Sequence, residues 1–200
     1  MVSVIIPYDK DRGFLKEAIK SLEEQTYKDW ELILQHGNES LGVNMNRGVA
    51  RSRGEYIKLL SEDDMLPPDS LKILTEGIVG YDFVYANAEN FGDLDGWPRF
   101  HNDRTVTFQE MLHRNCMHGG TTLYRKDVFL EVGGYDEHLY TAEEYDLHLR
   151  LLKAGYKHRH IPKIVYLYRK HKDNKSSNQE SFRKRISRHA YIKQIQMKYR

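Results

Sequence analysis

The 200-residue chain is 40% hydrophobic and 30% charged, with a formal net charge of +2: the composition of one soluble domain with enough mass for a core. No run approaches the ~18 consecutive apolar residues of a membrane span. The single cysteine, Cys116, excludes an intrachain disulfide and fits a reducing, cytoplasmic setting. Residues 181–200 hold seven Lys and Arg and no Asp or Glu, so the rest of the chain is net acidic, and broad nucleic-acid binding is not expected.

Residues 2–6 form a nearly continuous apolar run without the basic lead of a signal peptide, and read as a buried parallel strand. Pro7, Tyr8 and Asp9 end it. Asp9 or Asp11 is placed to cap a helix whose apolar face is Phe14, Leu15, Ala18, Ile19 and Leu22. Residues 30–34 are the second strand, with Gln35, His36, Gly37 and Asn38 as its exit, which makes a βαβ unit. A helix is predicted over 44–53, ended by Gly54, and a strand over 55–60.

That strand stops in Ser61-Glu62-Asp63-Asp64, and Pro67 and Pro68 force a turn at once. Ligands of open α/β sheets bind beyond the carboxyl ends of strands. Adjacent acids there repel one another, and a divalent cation relieves the cost; a solvated acidic turn explains the same residues. Asp69 or Ser70 can cap a helix through Leu71, Ile73, Leu74 and Ile78, before a strand at 83–86. Residues 87–107 read as a long loop or irregular hairpin, 108–114 as a short helix, and Gly119-Gly120 as the entry to a strand. A helix follows over 125–132, then a turn at 133–136.

The most helix-like segment is 143–154, with Asp146 and Arg150 one turn apart and Gly155 as its terminator. A strand at 163–168 leads to His171 and a polar loop through Ser177. The basic tail, 182–200, is a helix with Phe182, Ile186 and His189 on one stripe and Ile192, Ile195 and Tyr199 close behind. Such a helix packs on the core or lies on an anionic membrane surface.

Three further groups carry candidate chemistry. His171 follows a strand and is a candidate partner for Asp63 around a metal ion, or one surface histidine among ten. Glu143 and Glu144 stand at a helix N-terminus, where acids meet the free N–H groups; such a position also suits a general base. Gly119 and Gly120 let backbone approach a ligand, or make a plain turn. No GxGxxG, phosphate-loop or zinc-binding pattern is present.

In order, Val2-Ser3-Val4-Ile5-Ile6-Pro7-Tyr8, Trp30-Glu31-Leu32-Ile33, Asn46-Arg47-Gly48, Gly54-Glu55-Tyr56-Ile57, Ser61-Glu62-Asp63-Asp64, Gly119-Gly120-Thr121, Gly133-Gly134-Tyr135-Asp136-Glu137, Glu143-Glu144-Tyr145-Asp146 and Tyr168-Arg169-Lys170-His171 resemble the family 2 glycosyltransferases. The resemblance covers residues 2 to about 177 and implies a GT-A fold, an α/β domain over 1–180 with one Rossmann-like mixed sheet flanked by helices. It implies an inverting transfer from a nucleoside-diphosphate sugar, UDP-linked in the first instance, to a glycan, lipid-linked or protein-linked acceptor. Mn²⁺ or Mg²⁺ would be held by Asp63, Asp64 and His171. Glu144, with Glu143 beside it, stands where the family has its base. Pro7, Tyr8, Asp9, Gln35, Asn46, Glu62, Gly119 and Gly120 would hold the donor.

The chain departs from the family at Gln35 and His36, where aspartates are usual, at Met45 and at Ser61. The segment between Gly37 and Leu41 is about twenty residues short of the family pattern, so a helix and an edge strand are expected to be missing. The alternative implied by these departures is a domain that binds nucleotide or glycan without turnover.

Overall fold

The computed structural model describes residues 1–92, 101–139, 141–171, 174 and 181–199, with side chains in the last stretch described from 190 onward. Six strands form one sheet in the order β2-β1-β3-β5-β4-β6. They are β1 (Val2–Tyr8), β2 (Trp30–His36), β3 (Tyr56–Leu59), β4 (Phe83–Gly92), β5 (Thr122–Arg125) and β6 (His158–Lys170). β1 lies parallel to β2 and β3, β6 lies parallel to β4, and β5 runs antiparallel between β3 and β4. This is the mixed sheet flanked by helices that the sequence implied.

Alternation along β1 explains the two layers. Val2, Val4 and Ile6 face a cluster with Ala18 and Leu22 of α1 (Leu15–Glu23) and Leu71 and Leu74 of α3 (Ser70–Gly77). Ile5 faces the other cluster, built with Met45 and Val49 of α2 (Leu41–Arg51), Met111 of α4 (Phe108–His113), Phe129 of α5 (Lys126–Glu131) and Leu147 and Leu151 of α6 (Glu143–Lys153). The C-terminal helix α7 (Ser181–Tyr199) joins this second core: Ile195 and Tyr199 are buried and Ile192 packs against it. The described end of the basic helix therefore presents Ile192, Ile195 and Tyr199 to the protein, while Met197 is exposed. Among the described residues no helix is long and apolar enough to cross a membrane.

Several boundaries differ from those read in the sequence, each for a physical reason. β2 is an edge strand and passes directly into α2, which starts at Leu41 because Ser40 caps it through the Val43 N–H (3.3 Å). Neither Asp9 nor Asp11 caps α1; Asp9 turns back on the Lys10 N–H and Asp11 on the Gly13 N–H, and Phe14 sits at the cap. Asp69 occupies the cap position of α3 but spends its carboxylate on the Thr26 hydroxyl (2.7 Å).

The largest difference is at β4 and β6. β4 runs to Gly92 instead of ending near Ala86, and β6 starts at His158 instead of 163, because the two pair along their whole length. Their register jumps from Ala86↔Ile161 to Asn87↔Ile164. That bulge absorbs Pro162, which has no N–H to give to a ladder. Residues 93–100, within the segment read as a loop, lie outside the described residues.

Candidate active site

The run of acids after β3 is resolved by giving each carboxylate a separate partner. Glu62 pairs with Arg12, which also binds Asp9. Its second oxygen, Oε2, is buried and has no hydrogen-bond partner among the described residues. Asp63 Oδ2 lies 3.0 Å from His171 Nε2, at the ends of β3 and β6, and accepts from Asn174 Nδ2 at 3.3 Å.

Asp64 does not join that set. It is buried, and its oxygens accept the Tyr166 hydroxyl (2.7 Å) and the Arg169 N–H (2.8 Å). Burial, with the Asp63 charge nearby, pushes its carboxyl well above the usual range. Asp64 thus ties the turn to β6, with both its oxygens engaged inside the protein.

Arg169 completes this end of the site. Its guanidinium lies 4.5 Å from the Phe14 ring centroid and 4.4 Å from that of Phe91, and its Nε donates to the Asp63 carbonyl (2.7 Å). It thereby fixes the backbone that carries the Asp63 side chain. The Phe14 ring also packs on His171, 4.9 Å between centroids.

Asp63 and His171 fit a divalent cation. Neighbouring donor atoms on an octahedral ion with ~2.1 Å bonds stand about 3 Å apart, which is the separation of Oδ2 and Nε2. Two protein ligands suffice for Mg²⁺ or Mn²⁺ when phosphate oxygens and water supply the rest. Among the described residues no group of three or more His, Cys, Asp or Glu converges as an ion cage.

The donor-side residues divide. Pro7 and Tyr8 stand beside Gln35 and His36 in the β1–β2 register, and the Tyr8 ring packs on His36. Gln35 is engaged on both sides of its amide, donating to the His36 carbonyl and accepting from Arg51. Asn46 is a clamp within the protein: it donates to the Tyr135 carbonyl (2.9 Å) and to Glu137, and accepts the Tyr135 N–H. Its amide is engaged in holding the turn after α5.

Gly119 and Gly120 form a single 3₁₀ turn before β5. Protein side chains demand the missing Cβ atoms. A Cβ on Gly119 would lie 2.7 Å from the Glu144 carboxyl, and one on Gly120 would lie 2.3 Å from Cζ of Tyr166. The Gly119 N–H donates to Glu144 Oε2 at 3.0 Å. Glu144 is half-buried in the first turn of α6, and Glu143 beside it is buried. Ala142, just before them, has φ +65, the one non-glycine among the described residues in the left-handed region. Behind these, Asp146 receives Arg150 Nε (2.7 Å), the Tyr199 hydroxyl (3.1 Å) and Lys198 (3.4 Å), so α7 braces the helix that carries Glu144.

Arg12, Arg169 and Lys58 were not singled out from the sequence. Lys58 had a legible signal, a lysine inside the apolar run of a central strand. Arg169 had one in the Tyr168-Arg169-Lys170-His171 stretch of the resemblance, and Arg12 had none. A surface cleft of about 320 Å³, lined by Asn102, Arg104, Glu110, Arg114 and Cys116 among others, includes none of Glu62, Asp63, Asp64 or Glu144.

The family profile described as Glycosyl transferase family 2 matches residues 32–133, and that described as Glycosyltransferase like family 2 matches residues 88–199. An uncharacterized glycosyltransferase of Rickettsia typhi is 26% identical over 190 residues, covering 78% of this chain and 59% of the relative. YwdF of Bacillus subtilis, also named an uncharacterized glycosyltransferase, is 26% identical over 214 residues, covering 90% of this chain and 79% of its own length. The uncharacterized protein y4gI of Sinorhizobium fredii is 25% identical over 208 residues, and this chain spans only 22% of it.

Among solved structures, Staphylococcus aureus TarS 1–349 in complex with UDP-GlcNAc superposes with a TM-score of 0.76 at 16% identity, covering 99% of this chain and 71% of TarS 1–349. The same protein in complex with UDP gives 0.72 at 14% identity, covering 84% of this chain and 60% of the other. With profiles that together run from 32 to 199 and a sheet that superposes on TarS, the chain belongs to glycosyltransferase family 2 and has the GT-A fold.

Proposed function

We propose that the chain transfers a sugar from a nucleoside-diphosphate sugar to an acceptor hydroxyl with inversion, dependent on Mn²⁺ or Mg²⁺. The observation that carries this is the meeting of Asp63 and His171 at the ends of β3 and β6, a pair suited to an ion beside a diphosphate. The UDP and UDP-GlcNAc complexes of TarS support a UDP-linked donor as the first to try.

Asp63 and His171 would hold the ion, whose chemistry is to offset the negative charge of the departing diphosphate. Oε2 of Glu62, buried and without a hydrogen-bond partner among the described residues, suits a hydroxyl donor such as a ribose, with Arg12 keeping the carboxylate in place. Glu144 would take the proton of the acceptor hydroxyl. As that oxygen bonds to the anomeric carbon, the bond from carbon to diphosphate breaks on the opposite face and the nucleoside diphosphate leaves. The Gly119 N–H holds one oxygen of Glu144, which supports a fixed direction for the other.

The test is a calorimetric screen of UDP-, GDP- and dTDP-sugars with and without Mn²⁺, on wild type and Asp63→Ala. Metal-dependent binding of one nucleotide, lost in the variant, is expected; binding indifferent to both overturns the site. The second reading, binding of nucleotide or glycan without turnover, rests on Gln35 and His36 standing where the family usually has aspartates. Donor hydrolysis or transfer by the wild type eliminates that reading.

A further inference from the structure

Lys58 lies in β3, at the centre of the sheet, and its side chain is fully buried. Hydrocarbon would fill the same space without the cost of desolvating an ammonium. The polar contacts of Lys58 are specific. Nζ donates to the carbonyls of Leu59 (2.9 Å) and Gly120, and it stands 5.1 Å from the centroid of the Tyr166 ring. Burial lowers the ammonium to about 7, against the pull of the Asp64 and Glu144 charges. Lysine at this position is therefore expensive, and its contacts lead to both halves of the site.

The two glycines join those halves. Gly119 gives its N–H to Glu144, and Gly120 gives its carbonyl to Lys58. Gly120 is pressed against the Tyr166 ring, with no room even for a methyl group. The Tyr166 hydroxyl is held in turn, donating to Asp64 and accepting from the Ser61 N–H (3.1 Å). The turn is thus gripped by an ammonium on one side and an aromatic ring on the other. The Gly120 carbonyl shares its peptide plane with the Thr121 N–H, which donates to the His118 carbonyl (2.9 Å), and that carbonyl shares its plane with the Gly119 N–H. Rotation of these linked planes, which glycines readily allow, is opposed by the contact between Lys58 and the Gly120 carbonyl.

We infer that Lys58 is a positioning residue for the transfer reaction: by holding the Gly120 carbonyl it fixes the Gly119 N–H that orients the Glu144 carboxylate. This rests on Glu144 as the base.

The test uses the full chain and Lys58→Met, which keeps the stem and removes the donor. Amide hydrogen exchange is followed at Gly119 and, as an internal reference, at Ile78, whose N–H donates to the Leu74 carbonyl at 3.0 Å at the end of α3, away from the lysine. Gly119 exchange should rise about tenfold while Ile78 changes by less than about twofold. With a UDP-sugar, kcat should fall about tenfold or more with donor KM within about threefold. Unchanged Gly119 exchange overturns the inference, and so does an equal rise at Ile78, which marks a general loss of stability. Exchange needs no turnover, so it decides the matter even if the wild type transfers nothing. If the methionine variant does not fold, Lys58→Gln is read by the same two amides. Retained turnover in Glu144→Gln would instead overturn Glu144 as base while leaving the exchange result standing.

Discussion

His171 Nε2 lies 3.0 Å from Asp63 Oδ2 across 108 residues of sequence. The contact exists because β3 and β6 run in the same direction and end at the same edge of the sheet. Arg169 reinforces it from two residues away by holding the Asp63 carbonyl. His171→Ala should weaken Mn²⁺-dependent donor binding by about 10- to 100-fold. Titration calorimetry with and without Mn²⁺ measures it, and equal affinities in both proteins would exclude His171 as a ligand.

Glu144→Gln keeps the shape of the side chain and its acceptor oxygen for the Gly119 N–H, but removes the basic carboxylate. Loss of a general base costs about 10²–10⁴ in rate. The expected outcome is kcat reduced on that scale with donor affinity within a few-fold. A variant that turns over at the wild-type rate places the base elsewhere.

Gly120→Ala drives a methyl into Tyr166, with contacts of 2.3–2.7 Å to three ring carbons. Overpacking of this kind costs about 1–3 kcal/mol. Because the Tyr166 hydroxyl binds Asp64, the acidic turn should shift with the ring. Urea unfolding should show the loss of stability, and amide shifts at Ser61 and Asp64 should show the displacement. A variant as stable as wild type would mean the turn relaxes freely.

His148 sets a pH dependence of stability. It is fully buried, its Nε2 meets the Tyr124 hydroxyl at 2.7 Å, and burial lowers it from 6.5 to about 4. Between those values the unfolded chain binds a proton that the folded chain refuses, so stability falls as pH drops from 6.5 towards 4 and is fully present above 6.5. The shift corresponds to about 3 kcal/mol. Urea unfolding of wild type and His148→Gln at pH 7, 5.5 and 4 should give a difference that shrinks by that order. Parallel curves would mean His148 titrates normally.

How much of this was legible in the sequence differs by residue. Asp63 and His171 each follow an apolar run at a strand end, a local pattern, so both were readable as candidates. Glu144 was readable because it opens a periodic helix. The roles of Asp64, Asn46, Gly119 and Gly120 were not readable. Each depends on a partner far away in sequence or packed from another element: Tyr166 for Asp64, Tyr135 for Asn46, Glu144 and Tyr166 for the glycines.

Runs of hydrophobicity, turn residues and strand-end acids determined the α/β sheet and the edge where its chemistry gathers, because those signals are short-range. Which acid meets His171 and which is bound by Tyr166 was decided only when β6 paired with β4 and brought Tyr166, Arg169 and His171 alongside the turn after β3. The same holds for the basic tail. Its stripe reads as compatible with membrane or core; at its described end Ile195 and Tyr199 are buried in the core that holds α6, while the side chains of Phe182, Ile186 and His189 lie outside those described. Burial is a property of the neighbours a residue acquires, and a linear sequence does not state them.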